Sequence, residues 1–207
     1  KELGVAVVDI GGGTTDLAIY IQGAIRHTSI LPLGGDQITN DIAVGLRTSI
    51  PEAEKIKHQQ GCTLSTLIAE DITFEVSSVG GRPAKSISKR ILCEIIQPRV
   101  EEIVILIQEE IKQAGFEKLL GAGVVVTGGT AQLEGIVELT EAIFDLPVRQ
   151  GSPVGLEQMD GVLVTPTYST AIGLVLYGFR VHSHRLTKLP KNKLILSRCW
   201  AWFKRWS

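Results

Sequence analysis

Residues 9–16 read DIGGGTTD and connect two apolar stretches, GVAVVDI (4–10) and TTDLAIYI (14–21). The first stretch is a continuous apolar run, as in a buried strand, and the second alternates, as in a half-buried strand. Because consecutive glycines carry no side chains, their N–H groups can point into one concavity that suits phosphate oxygens. The alternative is a tight hairpin that needs glycine only for positive φ angles. Asp9 and Thr14 favour binding, because a carboxylate can hold hydrated Mg²⁺ and a hydroxyl can donate to phosphate.

A second glycine pair follows another apolar run, in VVVTGGTAQLEGI (124–136). A buried strand here delivers Gly128 and Gly129 to the start of a helix, where the backbone can lie close to a phosphate or a flat ligand. A single pair of this kind is more often explained by close packing of a helix on a strand. Two such loops in one chain are a stronger indication of a ligand site than either loop alone.

Two charged residues in a third segment, AEKIK (53–57), are candidates for the same site. They lie early in a helix that we expect to start near Pro51, since proline is favoured at the first helical position. Glu54 and Lys57 could reach the ribose of a nucleotide. The alternative is an ordinary solvated helix face. The four histidines show no metal-ligand spacing, and no serine lies on a sharp strand–turn–helix, so we predict no catalytic residue.

The rest of the chain alternates between strand-like and helix-like segments. We predict further strands at 24–33, 72–79, 124–127 and 147–150. We predict helices at about 34–47 with Asp36 as N-cap, from about 86 with an interruption near Pro98, and at 167–177, and a turn followed by a helix at 128–144. Residues 179–192 lack strong periodicity and are predicted to be a linker. This order indicates an α/β fold rather than an all-α or all-β fold.

Charge is distributed unevenly along the 207 residues. The net charge is −1, yet no acidic residue follows Asp160, and that stretch carries +8 against −9 for the rest. A basic end on an acidic body predicts an anionic partner for that end. The three cysteines, Cys62, Cys93 and Cys199, are scattered, odd in number and show no Cys-x-x-Cys spacing, which argues against a disulfide framework and a zinc site and favours a reducing compartment.

The last ten residues, RCWAWFKRWS (198–207), contain all three tryptophans of the chain. Placed on a helix, residues 193–206 present an apolar arc of about 160° opposite a basic side. The arc comprises Ile195, Leu196, Cys199, Trp200, Trp202, Phe203 and Trp206, and the basic residues include Arg198, Lys204 and Arg205. Such a helix lies in a membrane interface rather than spanning it. The alternatives are docking on another part of the protein and binding of nucleic acid, a partner that the pattern fits least.

Several of these segments resemble known motifs of the actin/Hsp70 ATPase superfamily. DIGGGTTD looks like its second phosphate motif, VVVTGGTAQLEGI like its adenosine motif, and AEKIKHQQG like the ribose-side helix of its bacterial members. Within the superfamily the chain is similar to the cell-division protein FtsA. The resemblance rests on KELGVAVVDIGGGTTDLAIY, LPLGGDQITNDIA, AEKIKHQQGC, SSVGGRP, PTYSTAIGLVLYG and the amphipathic tail, in that order.

The resemblance implies an actin-like fold with an RNase H-like subdomain. That subdomain would comprise residues 1–48 and 123–178, with a small α/β subdomain inserted at 49–122, a linker at 179–192 and a membrane-targeting helix at 193–207.

The resemblance also implies an ATP site. Gly11, Gly12, Gly13 and Thr14 would hold the β- and γ-phosphates, Gly128, Gly129 and Thr130 would line the adenosine, and Glu54 and Lys57 would approach the ribose. Asp9 would serve Mg²⁺ through water. The family's first phosphate motif, and the residue that positions attacking water, precede the segment matched here. The chain would therefore carry half of an ATP site and bind nucleotide weakly, and ATPase activity is left open.

The role implied by the resemblance is a membrane adaptor in bacterial cell division. It would polymerise as actin does, tether FtsZ filaments to the cytoplasmic face of the inner membrane at the division site, and recruit other divisome proteins. The small subdomain would bind the C-terminal peptide of FtsZ, with four basic candidates: Arg82, Lys85, Lys89 and Arg90. The alternatives are an actin-like scaffold of pilus assembly or cell shape, and a sugar-kinase-like enzyme, which would not need a tryptophan-rich tail.

Replacing Trp202 and Phe203 with glutamate tests the membrane hypothesis. Two carboxylates on the apolar arc remove its affinity for the acyl boundary and repel anionic headgroups. We expect co-sedimentation with anionic vesicles to be abolished. Unchanged co-sedimentation of the double variant would contradict the hypothesis.

Overall fold

The computed structural model describes residues 3–78, 80, 83–154 and 164–188. The chain divides into two units, Lys1–Thr170 and Ala171–Ser207. The first unit contains both predicted glycine loops. Residues 195–206, predicted to bind membrane, and Arg82 lie outside the described residues. Within the described residues no helix combines the length and the apolar character needed to cross a membrane.

Seven strands and five longer helices make up the described chain. The strands are β1 (Val5–Ile10), β2 (Thr15–Ile21), β3 (Ala24–Leu31), β4 (Thr73–Val76), β5 (Lys85–Ser88), β6 (Val124–Thr127) and β7 (Val148–Gln150). The helices are α1 (Gly35–Leu46), α2 (Ile50–Gln60), α3 (Lys89–Gln113), α4 (Ile136–Phe144) and α5 (Ser169–Lys188). This composition confirms the predicted α/β class.

Strand β1 lies in the middle of a five-stranded sheet with the order β3-β2-β1-β6-β7. It is antiparallel to β2 and parallel to β6, so that Asp9 is paired with Asp16 on one side and with Thr127 on the other. Parallel strands end at the same edge of a sheet. The loop after β1 and the loop after β6 therefore emerge side by side, which places the two glycine motifs together. Strands β4 and β5 form a separate antiparallel pair.

The core lies on the face of the sheet covered by helices. Alternate residues of β1, including Ala6, Val8 and Ile10, are buried there together with Leu17 and Ile19 of β2. Successive side chains of a strand point to opposite faces, so Val7 and Asp9 lie on the other face. On α3, the residues that recur at helical spacing form one buried face: Val100, Ile103, Val104, Ile107 and Ile111 are each 1% exposed.

The start of α1 differs from the sequence prediction. Gly34, rather than Asp36, is the N-cap, and Asp36 lies in the first turn. The helix starts earlier because two N–H groups at its start are bonded. The Gly34 N–H donates to the Gln37 side chain at 2.8 Å, and the Gly35 N–H donates to the Gly11 carbonyl of a distant loop at 2.9 Å. A contact between residues far apart in sequence is invisible to a local capping rule.

Helix α3 also begins and runs differently from the prediction. Residues 85–88 form β5 instead of its first turn, and Ser88 caps the helix by accepting from the Ile91 N–H. The helix continues through Pro98 without interruption. Proline deprives the Glu94 carbonyl of its helical donor, but both residues are exposed and water can replace that bond. Helix α5 extends to Lys188, into the segment predicted to be a linker.

One partly buried ion pair joins α3 to α1. The Arg99 Nε donates to Asp41 Oδ2 at 2.6 Å and Nη2 donates to Oδ1 at 3.2 Å, with both side chains about two-thirds buried. The hydrogen bond with Asp41 is the main reason that the pKa of Arg99 is raised. Two parallel bonds fix the guanidinium more firmly than a single contact would.

We expect Arg99→Ala to lower the free energy of unfolding by about 1–2 kcal/mol, because it leaves Asp41 without its partner. Chemical denaturation measures this, and a double-mutant cycle with Asp41→Asn isolates the pair. The control is Lys112→Ala, which removes a pair at 3.5 Å between side chains about half exposed. Its effect should stay within about 0.5 kcal/mol. Equal effects of the two variants would contradict the assignment.

Candidate nucleotide site

An open cavity of about 310 Å³ lies beside the carboxyl end of β1. Three glycine-containing segments and helix α2 line it. The lining residues are Gly11, Gly12, Gly35, Asp36, Glu54, Lys57, His58, Gly61, Gly129, Thr130, Gln132 and Leu133. A cavity of this size with a few convergent polar groups has the character of a small-molecule site.

The carbonyl of Gly11 holds three segments of the chain together. It accepts from the N–H of Gly35 at 2.9 Å and from the hydroxyl of Thr130 at 3.0 Å. The neighbouring Gly12 carbonyl accepts from the Asp36 N–H at 2.8 Å. Because these carbonyls face the protein, the loop has a fixed conformation. Within the described chain, the N–H groups of Gly12 and Gly13 donate to no protein acceptor. They are the donors that an anion at this loop would meet.

Close backbone contact explains why glycine is needed at two positions around this junction. A Cβ on Gly34 would lie 2.5 Å from the Gly12 carbonyl oxygen and 2.7 Å from that of Gly11. A Cβ on Gly128, whose φ is +90°, would lie 2.3 Å from a carboxylate oxygen of Asp9. Any side chain would push the loops apart.

Lys57 forms the buried wall of the cavity. Its side chain is 6% exposed, and its ammonium group has three partners: the Gly35 carbonyl at 3.0 Å, the Thr39 hydroxyl at 2.8 Å and Glu54 Oε2 at 2.8 Å. An ammonium group has three N–H donors, so all of them are used within the protein. Lys57 therefore orients Gly35 and Glu54, and in this conformation it has no donor left for a ligand.

Glu54 is the group at this wall that can accept a ligand hydroxyl. Its Oε2 accepts hydrogen bonds from the Lys57 ammonium group and the Thr39 hydroxyl. Its Oε1 is bonded only to His58 Nε2, at 2.9 Å. Since each carboxylate oxygen can accept two bonds, Oε1 has room for another donor. Burial by itself raises the pKa of Glu54, but the hydrogen bonds from Lys57 and Thr39 and the positive charge of Lys57 outweigh it, and the pKa is lowered.

The predicted site residues fall into two groups. Six of them line the cavity: Gly11, Gly12, Glu54, Lys57, Gly129 and Thr130. Gly13, Thr14 and Gly128 do not, and the Thr14 hydroxyl donates to Asp16 at 3.2 Å. Gly34 and Gly35 were not predicted as loop residues, although their doublet before a helix repeats the pattern of Gly128 and Gly129. Five further lining residues were not predicted: Asp36, His58, Gly61, Gln132 and Leu133.

Asp9 does not line this cavity, because its side chain lies on the other face of β1, next to Gly128. Its carboxylate accepts from the Thr170 hydroxyl and, with Asp16, Thr127 and Ser169, lines a groove of about 620 Å³. Asp9 and Asp16 are register partners, so two carboxylates lie side by side. Such hard oxygen donors fit a Mg²⁺ ion that keeps most of its waters. Within the described residues no group of three metal-ligating side chains exists.

Comparison with known proteins identifies the family. The profile of the family described as "Cell division protein FtsA" matches residues 6–173. The chain belongs to the FtsA family. It is 49% identical over 183 residues to FtsA of Pseudomonas aeruginosa, covering 88% of this chain and 44% of the relative. It is 41% identical over 212 residues to FtsA of Escherichia coli K12, covering 99% and 50%. The chain thus spans about half the length of these curated FtsA relatives.

Solved structures show the fold expected of an FtsA. MreB5 of Spiroplasma citri bound to ADP has a TM-score of 0.65 at 20% identity, covering 92% of this chain and 56% of that one. The MamK double helical filament has a TM-score of 0.59 at 17% identity, covering 83% and 54%. The predicted resemblance to FtsA and the predicted actin-like fold are both confirmed.

The basic residues predicted to bind the FtsZ peptide occupy different environments in this FtsA-family chain. Lys89 is 18% exposed and pairs with Glu134 at 2.6 Å, and the Arg90 guanidinium donates to the Ile68 carbonyl at 3.3 Å. Lys85 lines a groove of about 320 Å³ together with Arg47, which the sequence analysis did not consider. Among the described residues, neither Lys85 nor Arg47 forms an ion pair.

Glu54→Gln should destabilise the protein at neutral pH and matter less in acid. The pKa of Glu54 is lower in the folded chain than in the unfolded chain, where it is about 4.3. The carboxylate therefore contributes stability above that pH and loses it as the pH falls through the folded value. Urea unfolding at pH 7 and at about pH 3 should show the difference between wild type and variant shrinking.

The matched control is Glu109→Gln, because Glu109 is exposed on α3 and makes no ion pair in the described structure. Its difference from wild type should stay nearly constant between the two pH values. A Glu54→Gln difference that also stayed constant would contradict the bonding scheme.

Proposed function

We propose that this chain supplies the glycine-loop half of an ATP site in a bacterial cell-division adaptor. The observation that carries the proposal is the convergence of three glycine segments on the Gly11 carbonyl, beside a cavity whose far wall is Glu54. This arrangement offers backbone donors for phosphates at one end and a carboxylate for a sugar hydroxyl at the other.

Phosphate binding would use main-chain groups. The N–H groups of Gly12 and Gly13 are unpaired within the described chain, and the N-terminus of α1 lies directly behind them through Gly35. Backbone amides and the positive end of a helix dipole both favour an anion. Thr14 lies at the tip of the same loop and would add its hydroxyl after releasing Asp16.

The nucleoside would occupy the space between α2 and the loop after β6. Glu54 Oε1 would accept a ribose hydroxyl, and Gly61, Gly129 and Leu133 provide flat or apolar surface for the base. Thr130 would act indirectly, because its hydroxyl is bonded to Gly11. The structural neighbour MreB5 was solved with ADP, which supports this class of ligand.

Magnesium would be held by Asp9, through water, with Asp16 beside it. When bound, the ion would supply positive charge to offset that of the phosphates. Asp9 must then share its carboxylate between that water and Thr170. No residue is assigned to ATP hydrolysis. Nucleotide binding would serve to promote the assembly of these chains with one another.

The assembly would connect FtsZ to the membrane. Membership of the FtsA family favours a role in division at the inner membrane over pilus assembly or cell shape. Arg47 and Lys85 would pair with the acidic C-terminal peptide of FtsZ in their groove. The tail at 193–206 would lie in the anionic leaflet, where each basic side chain contributes about 1 kcal/mol. The MamK structure is a filament, which supports self-association through this fold.

Titration of the ¹⁵N-labelled chain with Mg–ATP tests the nucleotide proposal. Amide shifts should change at Gly11–Thr14, at Gly35 and Asp36, and around 54–61 and 128–133, in fast exchange because half of a site binds weakly. Glu54→Gln should weaken binding by about tenfold, the equivalent of one lost hydrogen bond to a charged group.

Lys85→Glu is the control, since Lys85 does not line the cavity and its substitution should leave ATP affinity unchanged. Absence of shifts at the glycine loops would refute the proposed site. Tight, magnesium-dependent binding by this chain would refute the expectation that it holds only half of one.

A further inference from the structure

Two cysteines meet where α3 begins and α2 ends. Cys62 follows Gly61 directly after α2, and Cys93 lies one turn into α3. Both side chains are 0% exposed, and with Ile68 they form an apolar cluster separate from the main core. Both are free thiols. The nucleotide site makes no use of either.

The two thiols belong to the same buried cluster. The Cys62 thiol donates to the Leu64 carbonyl at 3.2 Å. Burial and, after it, the nearby Cys62 raise the pKa of Cys93 to about 12. The thiols are thus neighbours in space although they are distant in sequence.

We propose that Cys62 and Cys93 are a modification site, an oxidisable pair that forms an intrachain disulfide. The site requires a two-electron oxidant such as a peroxide. One thiol loses its proton and the resulting thiolate attacks the peroxide O–O bond, forming a sulfenic acid and hydroxide, which takes up that proton to become water. The second sulfur then attacks the sulfenic sulfur, forming the S–S bond and expelling a second water. The two thiols lose two protons and two electrons, and the peroxide gains them.

The environment of the two thiols sets the order of events. Cys93 stays protonated at neutral pH, which makes it a poor first nucleophile, and we assign it the resolving role. Both sulfurs are fully buried, so peroxide reaches them only when the segment around them opens. Oxidation should be slow in the native protein and faster in mild denaturant. In a reducing compartment the pair remains a dithiol.

The position of the bond would give it a structural effect. Cys62 forms a β-bridge with Glu134, and Glu134 binds Lys89 in the first turn of α3. Gly61, which precedes Cys62, and Leu133, which precedes Glu134, both line the candidate nucleotide cavity. A disulfide would therefore fasten α3 to the wall of the cavity and close the loop that carries β4 and β5. Such a cross-link restricts the unfolded chain and raises the melting temperature.

Peptide mapping of the full chain tests the proposal. Cys199→Ser removes the third cysteine, and the remaining two fall in different tryptic peptides, 58–85 and 91–99. After treatment with hydrogen peroxide and alkylation of residual thiols, we expect the two peptides to be joined, an intact mass lower by two hydrogen atoms, and a higher melting temperature that a reductant reverses.

Single variants in the Cys199→Ser background establish which sulfur is oxidised first. Cys93→Ala should leave Cys62 as a sulfenic acid that a dimedone probe labels, and Cys62→Ala should give little label. The proposal is overturned if the two peptides remain unlinked after peroxide treatment in both buffer and mild denaturant. Because this result does not involve nucleotide, it is independent of the titration with Mg–ATP.

Discussion

The Gly11 carbonyl oxygen is the acceptor on which the candidate site depends. It bonds to Gly35 at the start of α1 and to Thr130 after β6, so one atom joins loops separated by more than a hundred residues of sequence. A partly buried carbonyl is best satisfied by donors within the protein, and these two bonds fix the direction of the whole loop. With its carbonyls turned toward the protein, the loop is left with N–H groups of Gly12 and Gly13 that have no acceptor within the described chain.

Lys57 extends this constraint to the other end of the cavity. A lysine that is 6% exposed must have its charge paired and its N–H groups bonded, and this one uses Gly35, Thr39 and Glu54 for that purpose. Gly35 belongs to the glycine junction and Glu54 to the proposed ribose wall. The proposed phosphate end and the proposed sugar end of the site are therefore joined by one hydrogen-bonded network, so displacement of one end should also move the other.

The strands, the apolar face of α3 and the two glycine loops were predictable because each has a local signature. The alternation of β2 and the apolar run of β6 need no knowledge of the rest of the chain. The N-cap at Gly34, the role of Lys57 and the engagement of Lys89 with Glu134 depend on contacts between distant segments, which no local pattern encodes. Helix α3 continues through Pro98 because the packing of the residues before and after this proline outweighs its low helix propensity. The Gly34-Gly35 doublet could have predicted a third glycine loop, but it was interpreted only as the start of a helix.

The most direct test of the account is a crystal structure of the chain soaked with a non-hydrolysable ATP analogue and Mg²⁺. The account predicts phosphate oxygens at the N–H groups of Gly12 and Gly13, a ribose hydroxyl on Glu54 Oε1, and Lys57 still bonded to Gly35. A nucleotide bound with its phosphates away from the Gly11–Thr14 loop, or a loop that opened and broke its bonds to Gly35 and Thr130, would contradict it.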